Sequence, residues 1–276
     1  MIDLHTHTTA SDGRCTPSEL VARAASAGVQ VLSVTDHDTT SACAAVSTAC
    51  LAAGIEFVPG IEITAVVGGA DMHILGYFIE PAAAPLATFL TEARRMRIER
   101  LRRIIERLAG HGIHLDADAV LLPGTADNSK AAGRPWIARA LIAGGHVATI
   151  AEAFDRWLAS GRAAFVERIG PTPEEVLGEI HKANGIASLA HPGLLGRDDL
   201  IPRLAAAGMD AIEAYHTKHR PEDTVRYITF ADRLGLAVSG GSDYHADPDA
   251  TVALGGVSLP RELYDALEAR RPKTQS

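Results

Sequence analysis

Ligand-type side chains at the ends of short apolar segments are the feature that most restricts how this chain can fold. Histidine, aspartate and glutamate residues follow such segments from residue 5 to residue 245 of the 276-residue chain. Nine of them form the set His5, His7, Asp12, His37, Glu62, His73, His191, Asp243 and His245. Mixed imidazole and carboxylate ligands suit zinc, manganese or iron(II), and nine are too many for one ion. The fold therefore has to bring distant strand ends to one point, where a site for several metal ions is expected.

Short apolar strands alternate with helical patterns along most of the sequence. Strands are predicted at residues 2–5, 30–35, 57–62, 72–79, 186–190, 210–214 and 236–240. Helices are predicted at 17–27, 39–53, 172–183, 198–207, 221–234 and 261–270, and Thr16 followed by Pro17 is a start signal for the first. Repeated strand–helix units predict a parallel sheet. Ligand candidates at the ends of seven strands predict a closed α/β barrel.

The alternation stops between residues 80 and 170. Apolar residues recur every three or four positions in a helix at 85–109, and further helices are predicted at 134–144 and 149–159. The chain is therefore divided into a barrel, residues 1–80 and 170–276, and an inserted helical subdomain, residues 81–169, that emerges from a strand end and caps the site. Arginines on the first of these helices interleave with glutamates, which favours a solvated face of ion pairs over a path for RNA.

Composition places further limits on function. The net charge of −8 argues against a protein that coats nucleic acid, although bound metal ions allow a small anionic substrate. Three scattered cysteines indicate reduced thiols rather than a disulfide framework. No apolar stretch approaches the roughly 18 residues of a membrane span, and His5 leaves no room for a signal peptide before it. We expect a soluble cytoplasmic protein with no membrane contact and no evident obligate protein partner.

His5 and His7 lie two residues apart, and if both continue the extended chain of the first strand, the alternation of a strand points both rings to one face. The pair alone would indicate little more than two polar residues at a strand end. The prediction of a metal site gains weight because the other candidates follow different strands. Four of the other six histidines are expected to be ordinary surface or core residues: His111, His114, His146 and His181.

The ligand candidates occur in motifs that resemble, in order and over essentially the whole chain, those of the PHP (polymerase and histidinol phosphatase) superfamily. The motifs are His5-Thr-His7, Ser11-Asp12-Gly13, Thr35-Asp36-His37-Asp38, Gly60-Ile61-Glu62, His73-Ile-Leu-Gly76, Ala190-His191-Pro192 and Gly241-Ser242-Asp243-Tyr-His245. The resemblance implies a metal-dependent phosphoesterase on a distorted (β/α)7 barrel that binds three divalent ions. Manganese is the expected metal, with iron(II) and zinc as alternatives.

The resemblance also implies how the ligands divide among the three ions. The first ion would be held by His5, His7, Glu62 and Asp243, the second by Glu62, His73 and His191, and the third by Asp12, His37 and His245. Asp36 and Asp38 are expected to orient imidazoles by hydrogen bonds. A hydroxide bridging the ions would attack phosphorus. Asp243 is a candidate to orient the attacking water, and His219 is a candidate acid for the leaving oxygen.

The insertion is expected to select the substrate. Gly133-Arg134-Pro135 begins a predicted helix, whose free N–H groups and arginine form a candidate phosphate site. Lys130 would add a charge, and Arg162 is a weaker candidate. Trp136 stands where similar proteins often have histidine, and its indole is a candidate to stack on a base. The alternative interpretation is a solvated loop with a buried tryptophan.

The main hypothesis, carried by the resemblance, is a phosphatase that releases the 3′-phosphate of nucleoside 3′,5′-bisphosphates such as adenosine 3′,5′-bisphosphate. A 5′→3′ exoribonuclease acting on short 5′-phosphorylated RNA would use the same site with a longer groove. Histidinol-phosphate phosphatase is a third hypothesis, which Lys130 and Arg134 disfavour because it needs no second phosphate clamp. A non-catalytic PHP module is disfavoured because no ligand position is substituted.

Overall fold

The computed structural model describes residues 1–126, 133–247 and 252–272. Its framework is one sheet of seven strands that neighbour one another in sequence order. The strands are β1 (Ile2–Asp3), β2 (Val31–Val34), β3 (Glu56–Val67), β4 (Ala70–Tyr77), β5 (Ile186–Leu189), β6 (Ala211–His216) and β7 (Ala237–Gly241). Each overlaps a strand predicted from the sequence. Strands β3, β6 and β7 extend further at their carboxyl ends, and β1 ends at Asp3, before His5.

Hydrogen bonds between the first and last strands close the sheet almost completely. The N–H of Leu4 donates to the carbonyl of Gly240 at 3.2 Å, and the N–H of His7 donates to the carbonyl of Tyr244 at 2.9 Å. Buried aliphatic residues from the strands pack against the helices outside them in one large core. The predicted α/β class and the distorted seven-stranded barrel are confirmed.

Strand β4 departs from the parallel sheet that strand–helix alternation predicted. It runs antiparallel to both β3 and β5, whereas the other neighbouring strands are parallel. The connection from β3 is the dipeptide Gly68-Gly69, with φ angles of 57° and 78°. Glycine adopts this left-handed conformation without a steric penalty, and two such residues make a tight hairpin. No helix fits in a two-residue connection, so β4 has to return beside β3.

The reversal of β4 explains how His73 reaches the other ligand candidates. Parallel strands present their carboxyl ends at one rim of the barrel. In the antiparallel β4 it is the beginning of the strand that lies at this rim. The carbonyl of His73 accepts the N–H of Ala190 at 3.1 Å, directly before His191. His73 therefore lies level with a residue that follows the end of β5.

Helices surround the barrel and fill the interval between β4 and β5. In the described ranges they are α1 (Pro17–Ser26), α2 (Cys43–Ala53), α3 (Ala84–Ala109), α4 (Ala117–Ala126), α5 (Arg134–Ala143), α6 (Ile150–Ala153), α7 (Pro173–Lys182), α8 (Pro192–Leu195), α9 (Ile201–Ala206), α10 (Pro221–Leu234) and α11 (Arg261–Glu268). Thr16 caps α1 with Pro17 in the first turn, as predicted. Thr16 and Glu19 also form a reciprocal capping box, which satisfies two N–H groups at the helix start.

Helix α3 returns the chain from the far end of the barrel to the ligand rim. Strand β4 ends at Tyr77, which pairs with Ile186, the first residue of β5. This is the rim opposite the ligand candidates. The 26 residues of α3 correspond to about 39 Å of helix, long enough to span the barrel. Leu86 packs into the barrel core, whereas Leu108 packs into a second core.

The second core lies in the interval between β4 and β5. It joins the later part of α3 to α4, α5 and α6 through buried residues such as Leu121, Ile137 and Ala153. A turn of π-helix, Phe154–Leu158, follows α6 directly. The sequence predicted α3, α5 and a single helix at 149–159, but not α4 or the change to π-helix. We call this interval the cap and keep residues 81–169 as its proposed extent.

The three cysteines are free thiols, as predicted, and all three are buried. Burial raises the pKa of Cys43 to about 12 and that of Cys50 to about 11, so both thiols are protonated at neutral pH. Among the described residues, none of the helices combines the length and the apolar character that crossing a bilayer requires.

Candidate metal centre

Glu62 on β3 is the centre of a cluster of imidazoles at the carboxyl rim. Its side chain is 1% exposed and is surrounded by the rings of His5, His7, His37, His73 and His191. Glu62 Oε2 lies 3.4, 3.3 and 3.1 Å from nitrogens of the first three rings. Glu62 Oε1 lies 2.8 Å from His73 Nδ1 and 3.0 Å from His191 Nε2. A carboxylate with imidazoles on both oxygens is placed to bridge two ions.

Asp243 and Asp12 complete the cluster from the segments after β7 and β1. Asp243 Oδ1 lies 3.3 Å from His7 Nε2 and 3.5 Å from His245 Nδ1. Asp12 Oδ1 lies 3.2 Å from His245 Nε2, and its Oδ2 lies 3.7 Å from His37 Nε2. The structure thus brings all nine predicted ligand residues together, although they are spread over 240 positions of sequence.

The cluster fits divalent metal ions. The ligand atoms within each of four groups lie within 4.8 Å of one another: His7 with Asp12, His37 and His245; His37 with Glu62 and His73; His5 with Glu62 and His191; and His5 with His216 and Asp243. Both ring nitrogens of His7 are buried without a hydrogen-bond partner. Buried polar atoms without partners are costly, and a bound cation would satisfy one of these nitrogens.

Electrostatics favours ionised carboxylates in the cluster but does not make every imidazole neutral. Burial alone would raise the pKa of Asp243 and of Glu62, but the neighbouring histidines outweigh it and hold both pKa values well below their usual range. Burial lowers the pKa of His37 to about 3, so its imidazole is neutral. Ionised carboxylates and neutral imidazoles are the forms that donate electron pairs to a metal. Burial alone would lower the pKa values of His5, His73 and His245, but neighbouring carboxylates outweigh it and raise them, so a metal ion has to displace protons from these rings.

Glu213 on β6 is an unpredicted residue that supports the cluster. The ring of His5 donates from Nδ1 to Glu213 Oε1 at 2.8 Å, and the main-chain N–H of His191 donates to Oε2 at 2.6 Å. One buried carboxylate therefore fixes the orientation of one candidate ligand and the backbone of another. The sequence signal was a glutamate between isoleucine and alanine near the end of the predicted strand 210–214.

His216 at the end of β6 was also absent from the sequence prediction. Its Nε2 lies 3.4 Å from Asp243 Oδ2, and its Nδ1 accepts the N–H of Lys218 at 3.2 Å. An accepting Nδ1 leaves the proton on Nε2 in the neutral ring, so His216 donates to Asp243. The sequence predicted that β6 ends at residue 214, which placed His216 outside the strand.

Asp36 and Asp38 do not orient imidazoles as predicted. Asp36 accepts hydrogen bonds from the N–H of Thr8 at 2.7 Å and the hydroxyl of Ser11 at 2.6 Å. Asp38 accepts the N–H of Thr64 at 2.9 Å and an ion-pairing hydrogen bond from Arg97. Both flank His37, and their carboxylates instead hold the backbone of neighbouring segments. Asp36 fixes the loop that leads to Asp12, and Asp38 joins β3 to α3.

A cavity of about 580 Å³ separates the metal-ligand cluster from the cap. His37 and His73 line one side, and the other side carries arginines from the cap: Arg97, Arg100, Arg134, Arg139 and Arg168. Arg97 and Arg168 form ion pairs with Asp38 and Asp71. In the part of the chain that the structure describes, no carboxylate lies within 4.0 Å of the guanidinium of Arg100, Arg134 or Arg139. The cap therefore faces the cluster with cations that lack an acidic partner.

Two of the four predicted substrate-binding residues line this cavity. Arg134 and Trp136 line the cavity, and Trp136 is half-buried against the second core. Arg162 is not among the lining residues and pairs with Asp155 at 2.7 Å on the surface. Lys130 lies outside the described residues. The arginines of α3 also have different surroundings. Arg95 and Arg103 pair with glutamates, as predicted, whereas Arg100 lines the cavity.

Both ring nitrogens of His219 bond to the main chain. Its Nδ1 donates to the carbonyl of Ala214 at 3.0 Å, and its Nε2 accepts the N–H of Gly193 at 3.2 Å. Burial lowers the pKa of His219. The ring is neutral and offers no free nitrogen to a leaving group, because it joins the backbone after β5 to that of β6.

The remaining histidines lie outside the cluster. His181 bonds to Asp210 at 2.8 Å, and His111 lies against the ring of Trp157. Neither of them, nor His114 or His146, belongs to a candidate metal group within the described ranges.

Comparisons with known proteins agree with this geometry. The profile of the PHP domain family matches residues 3–106. The chain is 35% identical to a 3′,5′-nucleoside bisphosphate phosphatase of Chromobacterium violaceum, over 98% of this chain and 97% of that protein. It is 34% identical to the 5′-3′ exoribonuclease Rnm of Salmonella typhimurium, over 88% of this chain and 84% of that protein. A solved structure from Bifidobacterium adolescentis has a TM-score of 0.84 and 29% identity, and the match covers 99% of this chain and 96% of that one.

Proposed function

This chain belongs to the PHP domain family, and we propose that it hydrolyses the 3′-phosphate of nucleoside 3′,5′-bisphosphates, giving the 5′-monophosphate and inorganic phosphate. One observation carries the proposal: a single cavity has candidate metal ligands on one side and, on the other, three arginines that have no carboxylate within 4.0 Å among the described residues. The two sides suit two phosphates on one small molecule. The relative from Chromobacterium violaceum, a 3′,5′-nucleoside bisphosphate phosphatase, supports the same substrate.

The barrel side would hold the scissile phosphate. We propose that three ions bind there, held by His5, His7, Glu62 and Asp243, by Glu62, His73 and His191, and by Asp12, His37 and His245. Divalent ions, of which we propose manganese, would neutralise the phosphate and supply an activated water. Asp243 directs Oδ1 into the cluster while His216 holds its Oδ2, which suits it to orienting that water. The P–O3′ bond breaks as the water oxygen bonds to phosphorus, and the 3′-oxygen takes up a proton.

The cap side would hold the second phosphate. Arg134 and Arg100 present donors into the cavity, and arginine binds phosphate through paired N–H groups. Trp136 and Leu101 supply apolar surface beside them, which suits the base or the sugar of a nucleotide. A substrate with one phosphate would leave these guanidinium groups unpaired. The preference for a bisphosphate therefore follows from the charge of the cap.

The same arrangement supports a second candidate function, 5′→3′ exoribonuclease activity on short RNA. A terminal 5′-phosphate would occupy the arginine side, and the first 3′-phosphodiester would take the place of the 3′-monoester. The 34% identity to the exoribonuclease Rnm, over most of both chains, favours this candidate. Release of a nucleotide rather than inorganic phosphate would be the difference between the two reactions.

The two functions can be separated by substrate and by variant. Protein loaded with Mn²⁺ would be given adenosine 3′,5′-bisphosphate, a short 5′-phosphorylated RNA or histidinol phosphate, and the products would be identified. Arg134→Met should raise KM for the bisphosphate about tenfold or more, since a charge-assisted hydrogen bond is worth roughly 1.5–3 kcal/mol. It should leave the KM for 3′-AMP unchanged. Arg162→Met, at the surface pair with Asp155, is the matched control.

The outcomes distinguish the hypotheses. Phosphate release from the bisphosphate, with loss of affinity only in Arg134→Met, supports the proposed phosphatase. Mononucleotides from RNA at a higher kcat/KM would make exoribonuclease the main activity. Hydrolysis of histidinol phosphate without dependence on Arg134 would refute both nucleotide functions.

A further inference from the structure

We propose that the π-helical turn Phe154–Leu158 is a positioning element that holds the Arg134 guanidinium ready for the second phosphate of the substrate. The proposal rests on the proposed function because it assigns a structural cause to the selectivity of that same cavity. Phe154 and the carbonyl of Leu158 are the positioning groups. Neither is needed for the chemistry at the metal-ligand cluster.

The guanidinium of Arg134 has two contacts in this turn. Its Nη1 donates to the carbonyl of Leu158 at 3.1 Å, and its Cζ lies 5.4 Å from the centre of the Phe154 ring. The hydrogen bond fixes one end of the planar group, and the ring restricts its tilt. One acceptor and one aromatic ring thus define the position of a side chain that has several rotatable bonds.

The geometry of the turn makes the Leu158 carbonyl available. The N–H of Ala159 bonds to the carbonyl of Phe154 at 2.9 Å, five residues back, and Ala159 has an extended backbone with ψ of 163°. The helix therefore ends at Leu158, and carbonyls in the last turn of a helix lack partners within it. The Leu158 carbonyl instead accepts the hydrogen bond from Arg134. Turns of π-helix recur at functional sites.

The position is one that a guanidinium would not adopt without support. Arg100 lines the same cavity, and its positive charge repels Arg134. Burial, together with the charges of Arg134 and Arg168, lowers the pKa of Arg100 to about 10. The charge of Asp71 offsets part of this repulsion from beyond ion-pair distance, and the negative face of the Phe154 ring and the Leu158 carbonyl add the direct contacts. The Nε and Nη2 donors of Arg134 have no partner in the described part of the chain, so they remain for an anion.

The arrangement predicts an effect on binding rather than on the rate of hydrolysis. Phe154 touches the arginine and not the metal-ligand cluster. Loss of the Phe154 ring should weaken binding of a substrate with a phosphate on the cap side, because the Arg134 guanidinium must then be ordered during binding. A substrate without that phosphate should be unaffected.

The test compares Phe154→Leu with Phe154→Tyr in the metal-loaded protein. Phe154→Leu should raise KM for adenosine 3′,5′-bisphosphate about threefold to tenfold, the range expected for loss of a partly buried cation–π contact, with kcat unchanged. KM for 3′-AMP should stay at the wild-type value. Phe154→Tyr keeps the aromatic face, so its KM for the bisphosphate should equal that of the wild type. Phe230→Leu removes a similar contact with Arg233 on α10 and is the matched control.

Three results would overturn the proposal. An equal rise in KM for the bisphosphate and for 3′-AMP would show that Phe154 only supports packing. Wild-type kinetics in Phe154→Leu would show that Arg134 needs no positioning, and the proposed function would stand. A wild-type enzyme that does not distinguish the two substrates would refute both the second-phosphate site and its positioning. If Phe154→Leu is unstable by thermal unfolding, Phe154→Met, which fills similar space without an aromatic face, replaces it, and a wild-type KM for the bisphosphate in that variant overturns the proposal.

Discussion

His216 shows how one unpredicted residue can determine the properties of a predicted ligand. It donates from Nε2 to one oxygen of Asp243, and the N–H of Lys218 fixes its tautomer. Partners behind a metal ligand typically change metal affinity about tenfold to a hundredfold when removed. His216→Phe should therefore weaken Mn²⁺ binding by that factor, measured by competition with a chromophoric chelator and by metal content after dialysis.

The matched variant is His216→Gln, whose side-chain amide can donate from a position close to Nε2. It should recover most of the metal affinity. Equal losses in the two variants would show that the ring fills space rather than orienting Asp243. Equal affinity in His216→Phe and wild type would remove His216 from the metal centre altogether.

The residues predictable from the sequence are those whose chemistry recurs in motifs. His5 and His7 lie two residues apart just after β1, and this spacing in an extended chain predicts that both rings point the same way. Glu213 and His216 carry the same kinds of side chain on β6, but no local spacing connects them to His5 or Asp243. Their roles depend on the pairing of β6 with β7 and on the closing of the barrel, which brings the segment after β1 beside the end of β7. Such long-range neighbours cannot be predicted from local periodicity.

At the scale of elements, turn chemistry explains the largest difference between prediction and structure. The dipeptide Gly68-Gly69 between two β-rich segments was a hairpin signal that contradicted the expected parallel crossover. The strand–helix rhythm predicted the other six strands because each of those crossovers does contain a helix. The π-helical turn was not predictable, since Phe154–Leu158 follows the same apolar spacing as the α6 turn before it.

The junction between α7 and β6 provides a pH-dependent test of element packing. His181 in the last turn of α7 bonds to Asp210, which also accepts the N–H of Ala187 on β5. The hydrogen bond to Asp210 raises the pKa of His181. A raised pKa in the folded state contributes stability that is complete below the unfolded value of about 6.5. That contribution is lost as the pH rises through the folded pKa.

His181→Ala should therefore lower the free energy of unfolding more at pH 5.5 than at pH 8.5. The pH-dependent part should stay below about 1 kcal/mol because the side chain is 40% exposed. Urea unfolding of the wild type and of His181→Ala at the two pH values measures this pH-dependent part. A difference that is independent of pH would show that only packing was lost, and a larger difference at pH 8.5 would contradict the direction of the pKa shift.

At the scale of the whole molecule, α3 joins two cores that have separate tasks. Leu86, Phe89 and Leu90 pack against the barrel core, and Leu101 with Leu108 packs in the core of the cap. Arg97 lies between these groups and pairs with Asp38 beside the ligand rim. The barrel supplies the metal-ligand cluster, and the cap supplies the unpaired arginines. The first half of α3 therefore belongs to the barrel in packing, although the sequence prediction assigned all of it to the insertion.

This division predicts that the cap can be removed without loss of the metal centre, provided that the cut respects α3. Replacing residues 98–167 by a short glycine–serine linker keeps Leu86 in the barrel core, Arg97 on Asp38 and Arg168 beside Asp71. This variant should fold, bind Mn²⁺ and hydrolyse p-nitrophenyl phosphate, but it should no longer prefer adenosine 3′,5′-bisphosphate to 3′-AMP.

Replacing residues 84–167 also removes Leu86, and this longer replacement should fail to fold because the barrel core is left open. A trimmed protein that kept the bisphosphate preference would place the second phosphate on the barrel instead. One that bound no metal would show that the cap holds the ligand rim together, so that selectivity and metal binding could not be separated in this fold.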